Sequence, residues 1–373
     1  MDLNDYIDDL LSQDPFDINF ELKRDKLINI IRLQIEHHTK NCVEYKRWYD
    51  RNSFVHPNLI EDYSQIPFLP SSVFKHVNLF SIDKQTKLIK SSGTTSQLKS
   101  NIIIDHKTSF NQRKSLSKIL SSILGKQRRP FFVIDVKPTN SISSDNSMSA
   151  RFAGLSGYLL AAKSVTYLLK QNHLGNLEVD FTALTSLGEE ANRGPIVVIG
   201  YTYMLWKYFL NNPAIKFEKM NLNKESKIIH FGGWKKLKDK HVDKKQLVQI
   251  ISKKLNLKMV SIFDIYGFTE QLGTVYASRG YNGCKVSSYS YVLVRDVNTL
   301  EIVPDGTIGF LQFISILPLS YPGFCLLNDD IGYISKRILD KSGTEILEFE
   351  VKSRLEESDD RGCGDTLPEN YYI

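Results

Sequence analysis

The chain has 373 residues, of which 42% are hydrophobic and 11% aromatic, so it can bury a core as one large domain or two smaller ones. No run approaches the roughly eighteen consecutive apolar residues of a membrane span. The N-terminus, MDLNDYIDDLLSQD, has acids where a signal peptide has basic residues, which predicts a cytoplasmic protein. The formal net charge of +6 is small and the basic residues are scattered, which argues against a dedicated nucleic-acid binder.

The first part of the chain has helical periodicity. Asp2 to Leu11 and Leu22 to Trp48 place apolar residues at helical spacing, which predicts a helical N-terminal region. Prolines then interrupt the pattern. The segment IPFLPSSVFK, residues 66–75, predicts an extended entry followed by a helix that begins at Ser71 or Ser72.

Short β-rich runs then alternate with amphipathic segments, which predicts an α/β core with a layered sheet. The strand candidates are rich in β-branched and aromatic residues, and they are Asn101 to Ile104, Pro130 to Val136, Pro195 to Ile199, Lys227 to Phe231 and Lys258 to Phe263. The helix candidates carry apolar residues at helical spacing, and they are Ser109 to Leu124, Tyr201 to Asn211 and Lys244 to Leu255.

After Gly267 the pattern changes to strands joined by turns. The strand candidates here are separated by PDG and YPG turn signals, and they are Ser287 to Arg295, Gly309 to Ile316 and Phe324 to Leu327. The predicted organisation therefore has four parts: a helical region over 1–65, an α/β core over 66–274, a β-rich subdomain over 275–350 and a tail over 351–373.

A segment rich in serine, threonine and glycine, SSGTTSQLK, occupies residues 91–99. It suits a loop that wraps phosphate, because backbone N–H groups, hydroxyls and a lysine ammonium can all donate to anionic oxygens. Its spacing is not the G-x-x-x-x-G-K of a Walker loop. Taken alone, a plain surface turn explains such a segment more often than a phosphate site does.

The pentapeptide Tyr266 to Glu270, YGFTE, follows the apolar strand candidate MVSIFDI. Open α/β sheets bind ligands just past the ends of their strands. There Thr269 could donate to a phosphate and Glu270 could bind a hard cation. A buried tyrosine followed by a threonine that caps a helix is the structural alternative.

Two further segments lie where strand candidates end. The sequence GGWK, residues 232–235, follows KIIHF, and its paired glycines let a planar ring approach the backbone, although a tight turn needs the same residues. The sequence NDD, residues 328–330, follows YPGFCLL. A carboxylate there can accept hydrogen bonds from both hydroxyls of a ribose, and an Asx-turn explains the aspartates equally well.

In order and content these four segments resemble the adenylate-forming superfamily of acyl-CoA synthetases, luciferases and nonribosomal-peptide adenylation domains. The resemblance implies an adenylate-forming α/β fold that uses ATP and Mg²⁺ to activate a carboxylic acid. The implied contacts to the ATP phosphates are the loop residues Ser92, Gly93, Thr94, Thr95 and Lys99. The implied contacts to adenine are Gly232, Gly233 and Tyr266. Thr269 would touch the α-phosphate, Asp330 would bind the ribose and Glu270 would bind magnesium.

A closer resemblance covers nearly the whole chain. The segments IPFLPSSVFK, SSGTTSQLKS with Asp105 after it, SARFAGLSGY, IGYTYML, GGWK and RGCG are similar to the acyl-protein synthetase (LuxE) family of bacterial bioluminescence. That family activates fatty acids for an acyl reductase. The resemblance implies a truncated C-terminal domain, because only residues 331–373 follow Asp330, and Arg354 matches the hinge arginine at which that domain begins.

The family passes its acyl group to a cysteine near the C-terminus, and Cys363 in RGCG stands at that place. Its flanking glycines leave the thiol unhindered, as thioester formation requires. The neighbouring charges do not decide its reactivity, because one arginine opposes several aspartates. The other cysteines form no CxxC pair and are expected to be ordinary apolar residues, and they are Cys42, Cys284 and Cys325.

The predicted function is therefore ATP-dependent acyl-protein synthesis, with Lys99, Thr269 and Cys363 as catalytic residues and an acyl reductase as partner. One alternative is a stand-alone carboxylate–CoA ligase of the phenylacetate type, against which the truncated C-terminus weighs. The other is a nucleotide-binding partner without turnover, which Ser96 and Leu98 favour because they depart from the loop's usual glycine and proline. His230, beside the glycine pair, could line an acyl pocket or pack at a strand end, and packing is the favoured interpretation.

Overall fold

The computed structural model describes residues 2–82, 87–90, 100–138, 150–217, 220–233 and 242–354. The α-helices are α1 (Leu3–Leu10), α2 (Phe20–Asn41), α3 (Val43–Arg51), α4 (Val73–His76), α5 (His106–Leu124), α6 (Ala150–Leu159), α7 (Phe181–Arg193), α8 (Thr202–Met204) and α9 (Lys244–Leu255). A π-helix over Leu205–Leu210 continues α8. None of the helices in these ranges is long and apolar enough to cross a membrane.

The strands alternate with these helices and then follow one another, as the sequence predicts for an α/β protein with a β-rich second part. They are β1 (Leu69–Pro70), β2 (Lys87–Lys90), β3 (Asn101–Ile104), β4 (Arg129–Val136), β5 (Ala162–Gln171), β6 (Leu177–Val179), β7 (Val197–Tyr201), β8 (Lys227–Phe231), β9 (Ile262–Tyr266), β10 (Tyr276–Arg279), β11 (Cys284–Lys285), β12 (Ser290–Arg295), β13 (Gly309–Ser315), β14 (Cys325–Leu339) and β15 (Glu345–Arg354).

Helix boundaries follow local capping signals. Asp2 accepts a hydrogen bond from the backbone of Asp5 and forms a capping box at α1, and Asn19 caps α2. The predicted single helix from Leu22 to Trp48 is wrong in one respect, because Cys42 is extended (φ −125°, ψ 107°) and separates α2 from α3. The predicted helix start at Ser71 or Ser72 is confirmed, since Ser72 occupies the N-cap position of α4, although its side chain makes no cap hydrogen bond.

Two predicted strands have different bounds in the structure. Residues Met259–Ser261 form a 3₁₀ turn, so β9 begins at Ile262 and not at residue 258. The predicted strand from Phe324 to Leu327 continues as β14 to Leu339, so the NDD segment lies inside a strand and not at its end. The long hairpin with β15 satisfies the backbone groups of this continuation.

The chain forms two compact units. The first unit comprises Met1–Ile119, Gly267–Val275 and Lys285–Ile373, and the second comprises Leu120–Tyr266 and Tyr276–Cys284. In the first unit, β12, β13, β14 and β15 pair in that order and antiparallel, and β1 pairs parallel to β14. The four-part division predicted from the sequence stays a prediction.

The second unit has a mostly parallel sheet in the order β10, β9, β8, β7, β4, β5, β6. The five strands from β9 to β5 in this order are parallel, and β10 and β6 are antiparallel to their neighbours. Helices α7 and α9 and the π-helix contribute to the apolar core on one face. Because β7, β8 and β9 are neighbours, their carboxyl ends at Tyr201, Phe231 and Tyr266 lie at one edge, where open α/β sheets bind ligands.

Candidate active site

The predicted site residues divide into three groups. The phosphate loop with Ser92, Gly93, Thr94, Thr95 and Lys99, and also Cys363, lie outside the described residues. Gly232, Gly233 and Tyr266 belong to the second unit. Thr269, Glu270 and Asp330 belong to the first unit.

The glycine pair directly follows β8, as predicted. Gly232 has φ +73°, and a Cβ atom on it would lie 3.1 Å from Cδ1 of the Tyr201 ring. Both the left-handed backbone and this close ring therefore require glycine. Gly233 is exposed, and a Cβ atom on it would meet nothing within 4 Å. The pair therefore leaves an open backbone surface at the strand end.

Aromatic side chains cover one side of this strand end. The rings of Tyr158 and Phe231 stack with centroids 5.3 Å apart and an angle of 9° between their planes. The Tyr201 ring meets Phe231 edge to face at 4.6 Å. Tyr158 comes from SARFAGLSGY and Tyr201 from IGYTYML, so two segments identified separately in the sequence meet on Phe231. No motif in the sequence predicts this contact, because it depends on packing across the sheet.

Polar side chains occupy the other side of the same strand end, since neighbouring residues of a strand face opposite ways. His230 is 2% exposed, and its Nδ1 lies 3.0 Å from Oγ1 of Thr202. Asp264 of the next strand places Oδ1 at 3.6 Å from the same nitrogen. Burial lowers the pKa of His230, and Asp264 opposes that effect only in part, so the ring is neutral at neutral pH. Its burial fits the packing alternative, but its polar contacts were not anticipated.

Tyr266 ends β9 and is half-buried. It is the register partner of Tyr276 in β10, and the two ring centroids are 6.2 Å apart. The next residue, Gly267, already belongs to the first unit. The tyrosine therefore stands where the parallel sheet of the second unit ends, as the YGFTE motif predicts.

In the first unit, a 3₁₀ turn over Thr269–Gln271 presents the next two predicted residues. The cap position of this turn belongs to Phe268, which makes no side-chain cap bond, so the alternative of a helix-capping Thr269 is wrong. The Tyr321 hydroxyl donates to the backbone oxygen of Glu270 at 3.0 Å. This hydrogen bond holds the backbone of the turn in place.

Gln271 anchors the same turn from inside the first unit. It is fully buried, and its Nε2 donates to the backbone oxygens of Phe313 at 3.1 Å and Gly323 at 2.8 Å. Gly273 has φ +84°, and a Cβ atom on it would lie 2.5 Å from the Cα of Gln112 in α5. Gln271 was not predicted as a scaffold residue, although it directly follows YGFTE in the sequence.

Asp330 is half-buried within β14. The side chain of Asn328 donates to its Oδ2 at 3.4 Å, and the Ser71 hydroxyl donates to Oδ1 of Asn328 at 3.3 Å. The Asx-turn alternative is wrong, because the segment is part of a continuous strand. In the hairpin, Asp330 is the register partner of Arg354.

The described ranges contain no group of three or more histidine, cysteine, aspartate and glutamate residues that could hold a metal ion. Among these residues Glu270 is therefore not part of a cluster that could hold a cation by itself. A single carboxylate does fit Mg²⁺, which proteins usually hold through one or two carboxylates together with substrate phosphates. The residues present are compatible with magnesium that arrives with a nucleotide.

The three cysteines of the described chain behave as predicted. Cys42, Cys284 and Cys325 are buried and form no disulfide among the described residues. Burial raises the pKa of Cys325 to about 12 and also raises the pKa of Cys42, which suppresses their thiolates. None of the three is suited to be an acyl acceptor.

Comparisons with known proteins complete this description. Residues 3–372 match the family model described as "Acyl-protein synthetase, LuxE". The "Long-chain-fatty-acid--luciferin-component ligase" of Vibrio harveyi is 24% identical over 367 residues, which cover 96% of this chain and 91% of the relative. The protein of the same name from Aliivibrio fischeri is 27% identical over 370 residues, with 96% and 92% covered.

One solved structure shows the fold. A 2-hydroxyisobutyryl-CoA ligase in the postadenylation state, in complex with 2-HIB-AMP, superposes with a TM-score of 0.63. The match covers 91% of this chain and 69% of that one at 12% sequence identity. The predicted adenylate-forming fold is therefore confirmed.

Proposed function

The chain belongs to the acyl-protein synthetase family, as its motifs indicated, and from that membership we propose that it uses ATP to activate a long-chain fatty acid and transfers the acyl group to a thiol. The observation that carries the proposal is the family match over residues 3–372. The substrate class follows the names of the two curated relatives, both fatty-acid ligases. Gly232, Gly233 and Tyr266, which lie at the ends of β8 and β9, support the nucleotide-binding part of the proposal.

The first half-reaction is adenylation. An oxygen of the fatty-acid carboxylate attacks the α-phosphorus of ATP, the bond from that phosphorus to the bridging oxygen breaks, and pyrophosphate leaves with the electron pair. Lys99, the hydroxyls of the loop and Thr269 would stabilise the charge that develops on the phosphates. Magnesium, held by Glu270 and the phosphates, would supply further charge neutralisation. Gly232, Gly233, Tyr266 and Asp330 would hold the adenosine.

The second half-reaction is acyl transfer to Cys363. Its thiolate attacks the acyl carbonyl, the bond to the AMP oxygen breaks, and a thioester forms as AMP leaves. The short separation along the sequence between Arg354 and Cys363 supports this acceptor. Arg354 lies opposite Asp330 in the hairpin, and the nine residues from there to Cys363 can span at most about 30 Å. The thiol can therefore return to the residue proposed to bind the ribose.

A partner acyl reductase would then take the acyl group from Cys363. The family match weighs against the stand-alone CoA ligase and against the nucleotide-binding partner without turnover. The cytoplasmic location stays a prediction.

Acid-dependent exchange of labelled pyrophosphate into ATP tests the adenylation step. The purified protein should exchange label with long-chain fatty acids and much less with acetate, because each methylene buried in an apolar site contributes about 0.8 kcal/mol. No exchange with short, long or aromatic acids would overturn the proposal. Equal exchange from acetate to tetradecanoate would overturn its substrate class.

A further inference from the structure

Polar contacts of one histidine connect the ends of three neighbouring strands in the second unit. His230, near the end of β8, is the register partner of Gly200 in β7 and of Asp264 in β9. Its Nδ1 contacts the hydroxyl of Thr202, which directly follows β7. The same hydroxyl donates to the backbone oxygen of Phe231 at 3.3 Å.

The contacts of the ring favour a proton on Nδ1. A threonine hydroxyl has one hydrogen, and here it is donated to the Phe231 carbonyl, so its oxygen is left to accept from Nδ1–H. The carboxylate of Asp264, 3.6 Å from Nδ1, favours a proton on the same nitrogen. The remaining nitrogen, Nε2, is buried and has no hydrogen-bond partner among the described residues. All polar contacts of the ring therefore run through Nδ1.

The hydrogen bond from Thr202 ends on the peptide group that directly precedes the glycine pair. The Phe231 carbonyl belongs to the peptide bond with Gly232, whose φ is +73°. The Thr202 hydroxyl therefore holds the orientation of that peptide plane. On the other side, Asp264 lies two residues before Tyr266 in the same strand.

We propose that His230 is a positioning residue for ATP, which acts through Thr202 and Asp264 to fix where the glycine pair and Tyr266 leave the sheet. The inference rests on the proposed function for the identity of the ligand. It assigns no contact between His230 and the fatty acid. Loss of the Nδ1 contacts should therefore weaken ATP binding by about tenfold, as loss of one buried hydrogen bond does, and leave fatty-acid binding unchanged.

Three substitutions separate this role from the alternatives. His230→Asn keeps an amide N–H at the position of Nδ1, His230→Gln places its amide near Nε2, and His230→Leu keeps only apolar volume. The KM values for ATP and for fatty acid are measured by pyrophosphate exchange, and the Kd for ATP by calorimetric titration. We expect His230→Asn to stay within about twofold of the parent for ATP, and the Gln and Leu proteins to lose about tenfold.

Several results would overturn the inference. A Gln protein that binds ATP normally while the Asn protein does not would assign the role to Nε2. An effect on the KM for fatty acid alone would place His230 at the acyl site, and an unaffected Leu protein would reduce it to a packing residue. His38→Asn is the matched control, because that buried histidine of the first unit bonds Ser81 through Nδ1 at 2.7 Å. Its ATP values should not change, and an equal loss there would mean general destabilisation.

Thermal unfolding of each protein shows whether the variants are folded. If the Leu variant is not folded, the comparison of the Asn and Gln variants still tests the inference. The calorimetric Kd needs no turnover. A parent protein that binds ATP but shows no acid-dependent exchange would therefore contradict the proposed function and still test the role of His230.

Discussion

Asp330 and Arg354 are register partners in the antiparallel hairpin of β14 and β15. From the sequence, Asp330 is predicted to bind the ribose, and Arg354 is predicted to precede the C-terminal tail. In the hairpin the two residues lie opposite each other, so the segment that follows Arg354 begins beside Asp330. The proposed acceptor Cys363 lies nine residues along the chain from Arg354.

Replacement of Asp330 tests the proposed ribose contact. Asp330→Asn should reduce kcat/KM for ATP in pyrophosphate exchange by about ten- to a hundredfold, since hydrogen bonds to a charged group contribute about 1.5–3 kcal/mol. The matched control is Asp329→Asn, because side chains of neighbouring strand residues face opposite sides. If the Asp329 variant lost activity and the Asp330 variant did not, the assignment of the ribose contact would be wrong.

Replacement of Glu270 tests the proposed magnesium ligand. Glu270→Gln keeps the size of the side chain and removes its charge, so adenylation should slow by about a hundredfold or more. The half-saturating Mg²⁺ concentration in a titration of exchange activity should rise. Glu301→Gln, which removes an exposed carboxylate of the first unit, serves as the control. An unchanged magnesium requirement in the Glu270 variant would contradict the assignment.

The two glycines of the pair should respond differently to alanine. Gly232→Ala should destabilise the protein by about 1–2 kcal/mol, because its backbone is left-handed and a Cβ atom would lie only 3.1 Å from the Tyr201 ring. Gly233→Ala should leave stability unchanged, since a Cβ atom there meets nothing. It should nevertheless raise the KM for ATP if a planar base lies against this backbone. Urea unfolding together with exchange kinetics measures both effects, and equal destabilisation by the two variants would contradict this account.

The burial of Lys23 leads us to expect that the free energy of unfolding rises at alkaline pH. It is 3% exposed, its Nζ lies 3.8 Å from Oε2 of Glu345, and burial lowers its pKa to about 8, which Glu345 only partly counteracts. Between pH 8 and the ordinary value of 10.5, the unfolded chain binds this proton and the folded chain does not. The free energy of unfolding should therefore rise with pH across this window, by up to about 3 kcal/mol from this group.

Other groups also titrate in this range, so the measurement is a difference. The change in unfolding free energy from pH 8 to pH 10 should be more positive for the parent than for Lys23→Met. Lys46→Met, which removes an exposed lysine, corrects for the loss of one charge. An identical pH dependence in the parent and the Lys23 variant would show that the buried amine is not the source.

Elements with complete local signals could be predicted from the sequence. The bounds of β3, β8 and α9 are as predicted, because apolar runs are bounded there by turn residues, and a capping box of Asp243 with Gln246 starts α9. Strands β5 and β6 and helices α6 and α7 were not predicted. Helix α7 had a usable signal in the Asp180 cap. Strand β5 had none, because most of its first half is exposed and polar.

The same distinction applies to the candidate site. The motifs around Gly232, Tyr266 and Glu270 carry their own residue pattern, so their positions at strand ends could be anticipated. The contacts of His230 with Thr202 and Asp264 could not. They depend on the register of β7, β8 and β9, and a shift of one residue would turn His230 to the opposite face. Strand register is set by packing across the whole sheet, so it cannot be predicted from any single segment of the sequence.

The central claim is that the acyl group reaches Cys363, and labelling with radioactive tetradecanoate and ATP tests it most directly. The parent protein should carry the label, and neutral hydroxylamine should release it, as it releases a thioester and not an amide. Cys363→Ser should lose the releasable label and retain pyrophosphate exchange, because the residues proposed for adenylation lie between Ser92 and Asp330. Hydroxylamine-releasable label on the Cys363→Ser protein, or efficient transfer to coenzyme A with a parent protein that is never labelled, would contradict the account.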